Sequence, residues 1–368
     1  MKIAHLIDAI SDSGVTRVVR TLTRTMTAQG DDALLLMCRD PLNLNPDDDV
    51  SDYIKLPLGE TDQRSKLFGS RVRDMRYAVQ DSKVLDLWMQ ENGVDFVFIH
   101  GLVALRFHHT TSPHAIVAHS TKSKMLLPGR WSPFRWAFQR LYRKVYTGHP
   151  IVAVSEGVRR DLIENFGVTE DNSKAIYNPF DRDVIRKLAE QTPSDIPSRP
   201  YFVAAGRAVR AKRFDIMIRA FAKSGIKADL IIIGQGRKFG RYKRLAKRLD
   251  VGERVIFLGF RDNPYPYFKF ACAMILSSDY EGYPSGLVEA LICGTPVVST
   301  DCPSGPSEAL TGSLAAYLAP VGDVNALAAK IQKVAHTPYD YPEPYLDVFD
   351  PQRIANAYKE FAKSFASR

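Results

Sequence analysis

Short apolar runs alternate with stretches of helical period along most of the chain. MKIAHLIDAI reads as a strand and SDSG as the loop after it. In VTRVVRTLTRTMTAQG, Val15, Val18, Val19, Leu22 and Met26 fall on one helical face and the pattern stops at Gly30, which predicts a helix. ALLLMCR is the next strand. KVLDLWMQENG is a helix ending at Gly93, and the strand VDFVFIH follows it. AIVAH and IVAVS are further buried strands. After the latter, Ser155 can cap a helix whose Val158, Leu162, Ile163 and Phe166 share a face.

The alternation lapses over NPFDRDVIRKLAEQTPSDIPSRP, residues 178–200, where four prolines and little apolar content predict a linker at 181–200. It resumes with YFVAAG, a helix from about Phe214, LIIIGQG, a basic helix, VIFLGF, AMILSS, a further helix and PVVST. Strands that alternate with helices predict parallel sheets covered on both faces. The expected fold is therefore α/β, with two Rossmann-like doubly wound domains, residues 1–180 and 201–349, facing across a cleft. DPQRIANAYKEFAKSFASR is helical by its pattern.

Composition narrows the class. The chain has 368 residues, long for one core, and is 45% hydrophobic and 25% charged, as soluble globular proteins are. No apolar run approaches the roughly 20 residues that cross a bilayer. The N-terminal stretch lacks a signal-peptide cleavage site. Cys38, Cys272, Cys293 and Cys302 are scattered, without the paired spacing of a zinc site or a disulfide framework. The expectation is a cytoplasmic protein with reduced thiols. A net charge of +9 calls for an anionic partner: nucleic acid, lipid or a phosphorylated substrate. Asp47, Asp48 and Asp49 read as a solvated loop, and no metal is expected.

Candidate chemistry gathers at three strand ends of the second half, where open parallel sheets bind ligands. In YFVAAGRAVRAKRFD, Arg207 follows the strand at once and Lys212 lies five residues on, a couple able to grip a diphosphate. GQGRKFG (Gly234, Gly236, Gly240) nearly matches a dinucleotide fingerprint but has one residue too many, and reads as a tight turn. In EGYPSGLVEALICGTPVVSTD a helix begins near Ser285, Gly286 and Leu287, so its free amides and positive dipole end form a phosphate seat. Glu281 precedes that helix and Glu289 lies about one turn inside it. Carboxylates would repel a phosphate they touched. Glu281 and Glu289 are therefore expected to take neutral donors on either side of it, the hydroxyls of a sugar and of a ribose.

The spacing Glu281-x7-Glu289 in this block resembles the signature of the retaining glycosyltransferases of family 4, which have the GT-B fold. IVAVSEGVRRDL, IYNPFD, GRAVRAKRFD and the block from VIFLGF to SGPSEAL support it. FRDNPYPYFKFA and STDCPSGPSEAL further resemble a subgroup that includes enzymes of bacterial lipid-linked oligosaccharide and lipopolysaccharide assembly. The resemblance implies that Arg207 and Lys212 bind the donor diphosphate, Glu281 sugar hydroxyls, Gly282 and the amides after it phosphate or sugar, and Glu289 the ribose. It further implies that main chain near Phe260 and Arg261 meets the base, that Gly14 approaches the phosphates from the opposite domain, and that His119 lies near the reacting carbon. Many relatives carry two glycines in the first loop, whereas Ser13 precedes Gly14 here. The C-terminal helix, 350–368, is expected to pack back on the first domain. The implied donor is a nucleotide sugar, UDP-linked by subgroup, with no cofactor and no metal.

Residues 121–148 carry Lys122, Lys124, Arg130, Arg135, Arg140, Arg143 and Lys144 and no acid, interleaved with Trp131, Phe134, Trp136, Phe138, Tyr142 and Tyr146. This composition suits the headgroup layer of an anionic membrane. It also suits single-stranded nucleic acid, and an amphipathic helix with core aromatics is the plain alternative. The reading adopted is a membrane surface or an anionic glycan or glycolipid acceptor, not nucleic acid. Two other functions share these features: a nucleotide-sugar epimerase, which needs no acceptor, and a non-catalytic polyanion-binding protein at the membrane surface. Residues 237–254 read as a solvated basic helix face.

Overall fold

A computed structural model describes residues 1–9, 14–40, 53–58, 75, 77–127, 129, 132–337 and 343–366. The chain forms two compact units, Met1–Pro179 with Val348–Arg368, and Phe180–Asp347.

The first unit is built on a seven-stranded sheet of order β3-β2-β1-β4-β5-β6-β7. Its strands are β1 (Lys2–Ile7), β2 (Asp32–Met37), β3 (Tyr53–Lys55), β4 (Phe96–His100), β5 (His114–Ala118), β6 (Ile151–Ala153) and β7 (Ser173–Ala175), all paired in parallel. The helix Gly14–Ala28 returns from β1 to β2 and buries Val18, Val19, Leu22 and Met26, the stripe its spacing predicts. Ser155 caps the helix Glu156–Phe166 by accepting from the Val158 amide at 3.1 Å. The C-terminal helix Pro351–Ala366 packs on Gly14–Ala28 and sinks Ile354, Tyr358 and Phe361 into the unit. Lys359 anchors it, donating to Asp31 at 2.8 Å. Arg106 and Asp81 form an ion pair at 2.7 Å with both side chains buried.

The second unit repeats the plan with six parallel strands in the order β10-β9-β8-β11-β12-β13. These are β8 (Tyr201–Ala205), β9 (Asp229–Ile233), β10 (Val255–Gly259), β11 (Ala273–Leu276), β12 (Val297–Thr300) and β13 (Leu318–Ala319). The helices Phe214–Ser224 and Val324–His336 pack on each other over one face, closing a core in which Phe221, Ile218, Ile232 and Ile331 are fully buried. Burying each such side chain stabilises by about 1.5–3 kcal/mol. The sheet order steps outward in both directions from β8 and β11, which makes the gap between their carboxyl ends the place where two loops diverge and a ligand can enter. β1 and β4 mark the same point in the first sheet.

One expectation is corrected. Part of the linker predicted at 181–200 is a helix, Arg182–Ala189, capped by Asp181, whose carboxylate accepts from the Val184 amide at 3.0 Å. It buries Ile185 and Ala189, one turn apart, and packs on the helices Tyr265–Lys269 and Ser285–Ile292 of the second unit. Two buried positions on one face suffice to dock a short helix whose remaining residues are charged.

Candidate active site

The loops after β8 and β11 are bound to each other by side chains. Lys212 closes a short helical turn after β8, and its ammonium donates to Glu281 Oε1 at 2.7 Å. Ser278 donates to the same oxygen. Around this pair, Ser277 Oγ donates to the Lys212 carbonyl at 2.7 Å, and the Asp279 amide bonds the Ala211 carbonyl at 2.8 Å. Arg213 takes a left-handed backbone (φ 44°), an uncommon conformation for a side-chain-bearing residue. Its guanidinium holds both oxygens of Asp215 and reaches Asp279 at 2.8 Å. Burial works to raise the Asp215 pKa, but the Arg213 hydrogen bonds hold it below the ordinary carboxylate value. Glu281 was expected to take sugar hydroxyls beside a diphosphate held by Lys212; the structure also pairs the two side chains directly. Beyond this bond the Lys212 ammonium carries two more protons able to donate. Arg207 is exposed and makes no ion pair among the described residues.

Two glycines let these loops approach so closely. A Cβ at Gly234 (φ +135°) would fall 2.1 Å from the Gly206 carbonyl oxygen, so the GQG sequence is a seat for the β8 loop and more than a tight turn. A Cβ at Gly305 (φ +94°) would fall 2.4 Å from Pro284 Cδ, so SGPSEAL makes room for the turn at 282–284. Gly240 lies inside the helix Phe239–Arg248, away from any such turn.

The helix Ser285–Ile292 begins as predicted, with no side-chain cap. The anion seat expected there loses one of its amides. The Leu287 amide already bonds the Pro284 carbonyl at 2.9 Å, so Leu287 leaves the candidate set, while the amides of Ser285 and Gly286 have no carbonyl partner among the described residues. Glu289 is buried in this helix, with the Tyr265 hydroxyl 3.5 Å away. After β10, Phe260 is exposed, but its carbonyl accepts from Arg261 Nη1 at 3.0 Å. The Arg261 side chain also pairs with Asp195: Tyr267, then Arg261, hold the Asp195 carboxyl below its usual range. A separate cavity of about 430 Å³ is lined by Arg210, Arg213, Asp215, Lys238, Arg241 and Tyr242, none of them a predicted donor residue.

In the first unit, Gly14 opens the helix after β1; Ser13 lies outside the described residues. His119 stands just past β5, and sequence reasoning missed what surrounds it. His119 Nε2 lies 2.9 Å from His100 Nδ1, and His100 Nε2 lies 2.9 Å from His5 Nδ1. Strand register explains the line. His5 pairs with Phe98, His100 is two residues beyond Phe98 and pairs with Val117, and His119 is two beyond Val117, so all three rings share one sheet face. The available signal was the period of two along neighbouring strands. Burial pushes His5 down to about 3, and burial with the Lys122 charge pushes His119 down to about 3. His100, buried beside both, is held well below its usual value. Among the described residues no group of histidines, cysteines or acids is arranged to hold a metal ion.

The basic stretch divides in two. Lys122 is 1% exposed and lies in the interior beside His119, so it leaves the surface set. Tyr142 and Tyr146 are core, packed under the helix Arg135–Tyr146. Phe134 and Trp136 are 66% and 69% exposed, and Phe138 is exposed as well. Lys124, Arg140, Arg143 and Lys144 are exposed and Arg135 half-exposed. Arg130 and Trp131 lie outside the described residues. No described helix is long and apolar enough to cross a membrane.

Two family profiles divide nearly the whole chain between them: "Glycosyltransferase Family 4" matches residues 13–184 and "Glycosyl transferases group 1" matches residues 187–345. The chain belongs to glycosyltransferase family 4. Its similarity to the N-acetylgalactosamine-N,N'-diacetylbacillosaminyl-diphospho-undecaprenol 4-alpha-N-acetylgalactosaminyltransferase of Campylobacter jejuni is 27% identity over 217 residues, 59% of this chain. The chain spans about half of that relative's length, 55%. Among solved structures it is similar to the apo lipopolysaccharide outer core galactosyltransferase WaaB, with TM-score 0.70, 19% identity and 99% of each chain covered. It is also similar to Anabaena HepE in complex with UDP-glucose, with TM-score 0.67, 18% identity and 100% of each chain covered. These likenesses give this family 4 chain the GT-B fold of two parallel-sheet Rossmann-like domains.

Proposed function

We propose that the protein is a retaining glycosyltransferase that moves a hexose or N-acetylhexosamine from a UDP-sugar to a glycan acceptor of a cell-surface polysaccharide or lipid-linked oligosaccharide. The observation that carries the reading is the Lys212–Glu281 pair at 2.7 Å, sited where the β8 and β11 loops diverge. A cation and a carboxylate held side by side suit a ligand with a phosphate next to hydroxyls. The family, the UDP-glucose complex of HepE and the glycan-assembly names of the Campylobacter relative and WaaB support the same reading.

In this mechanism the bond between the anomeric carbon and the diphosphate oxygen breaks, and the acceptor oxygen bonds that carbon on the same face. The acceptor proton passes to the departing phosphate oxygen. Charge developing on the diphosphate is met by Arg207, Lys212 and the Ser285 and Gly286 amides, of which Lys212 and the amides are held in place before reaction. Glu281 accepts hydrogen bonds from sugar hydroxyls, and Glu289 from the ribose.

The exposed Phe134, Trp136 and Phe138 beside Arg135, Arg140 and Lys144 support contact with an anionic membrane surface, where the acceptor is presented. The protein then works peripherally at the inner face of the cytoplasmic membrane. The test of function is a panel of mass-tagged nucleotide sugars, read for slow donor hydrolysis without acceptor. The reading expects one UDP-sugar to be consumed to UDP and free sugar, and Glu281→Ala to stop it. A chain that consumes none, or that only epimerises the donor, is not this transferase.

A further inference from the structure

Three imidazoles in a row, each 2.9 Å from the next, admit few proton arrangements. A neutral imidazole carries one N–H and one bare nitrogen, and the hydrogen bond made by one nitrogen decides the state of the other. Along His5, His100 and His119 the protons must therefore all point the same way. The buried end of the line decides which. His5 Nε2 is fully enclosed with no hydrogen-bond partner. Its ring stacks on Phe98 at 5.2 Å and lies 6.0 Å from the Tyr358 ring, so its surroundings are aromatic. An unpaired N–H is the rarer group in a protein interior, and an under-satisfied acceptor the more tolerated one. The bare nitrogen therefore belongs at that end. His5 then donates from Nδ1 to His100 Nε2, and His100 donates from Nδ1 to His119 Nε2, which leaves the His119 proton on Nδ1.

At the other end, His119 is mostly buried but reaches solvent, while His5 and His100 are fully enclosed, and His119 Nδ1 has no partner among the described residues. Lys122 is the charged group next to it, and a nearby cation opposes any second proton on the ring. We propose that His5 and His100 are positioning residues that lock His119 as a neutral Nδ1–H donor, so that His119 presents a fixed N–H to a ligand oxygen at the end of β5 and does not serve as a general base. The inference deepens the proposed function and rests on the position that the family resemblance implies for His119, near the reacting carbon. It assigns proton removal from the acceptor to some other group, in keeping with the departing phosphate.

Long-range proton–nitrogen NMR of the full chain, grown with isotopically labelled histidine, reads each tautomer with no substrate present. His119→Asn, at a position that reaches solvent, identifies the His119 signals by their disappearance. The expected result is a protonated Nδ1 and a bare Nε2 on His119, and loss of that preference in His100→Phe. A protonated Nε2 on His119 in the parent protein overturns the proposal, whether or not His100→Phe folds. Turnover gives a second reading. His119→Asn keeps an N–H near the original position and should retain transfer within about tenfold of the parent. His119→Asp, which offers a carboxylate in its place, should lose about a hundredfold or more. The reverse order, with Asp the better substitute, marks a base and sinks the inference. Absence of transfer in every protein of the set counts against the proposed function alone, because the spectrum decides the tautomer by itself.

Discussion

At the carboxyl ends of β1, β4 and β5, His5, His100 and His119 meet through neutral rings, held uncharged by burial. At the equivalent ends of β8 and β11, Lys212 meets Glu281 and Arg213 meets Asp215 and Asp279, all partly open to water. The two sheets run through their strands in matching order about those points. The same topology thus carries one station of fixed dipoles and one of paired charges. Paired charges suit a ligand whose charge changes, whereas neutral rings in line hold one hydrogen-bond direction.

The comparison can be broken most severely at its exception, the buried Arg106–Asp81 pair of the first unit. Asp81→Ala leaves that guanidinium without its carboxylate, and chemical denaturation should show a loss of about 3–5 kcal/mol. Next come the charges of the second unit: Arg207→Ala and Glu281→Ala should each lower transfer about 10²–10³-fold with an unchanged circular dichroism spectrum. Near-parental turnover by either variant removes it from the site. Acid then separates the two stations. His5 and His119 ionise near 3 in the fold and near their ordinary 6.5 when unfolded, so the unfolded chain binds more protons below 6.5. The stability they contribute is whole above 6.5 and falls as the pH drops toward 3. Asp215 is held below its ordinary 3.8, so its contribution persists until the pH falls through that value. Hydrogen exchange should therefore quicken in the first unit in mild acid before it does in the second; simultaneous quickening contradicts the contrast. The smallest effect is at the surface, where Arg140→Ala should weaken binding to anionic vesicles about fivefold, a difference that high salt abolishes.

Much of this was legible in the sequence because it repeats. Strands and helices announce themselves through periods of two and of 3.6 residues, and the Arg207, Lys212 and Glu281 loops are contiguous stretches that keep their meaning in isolation. What escaped depends on partners far along the chain. His5, His100 and His119 become neighbours only through strand register, which no single stretch of sequence displays. Lys122 looks like a surface cation in a basic run, and only the fold puts it in the interior. The helix Arg182–Ala189 hid behind its charges, although Asp181 and the pair Ile185 and Ala189 gave its cap and its buried face. The Lys212–Glu281 contact was missed because the two residues were assigned to different parts of one ligand, when the loops bring them together before any ligand arrives.

The central claim is that Arg207 and Lys212 clasp a nucleoside diphosphate. Calorimetric titration of UDP into the parent protein, Arg207→Ala and Lys212→Ala tests it without knowledge of the sugar or the acceptor. The account predicts binding to the parent and a loss of about tenfold or more in each variant, the cost of one charge-assisted phosphate contact. Equal affinity in all three proteins, or no binding to the parent, would contradict it.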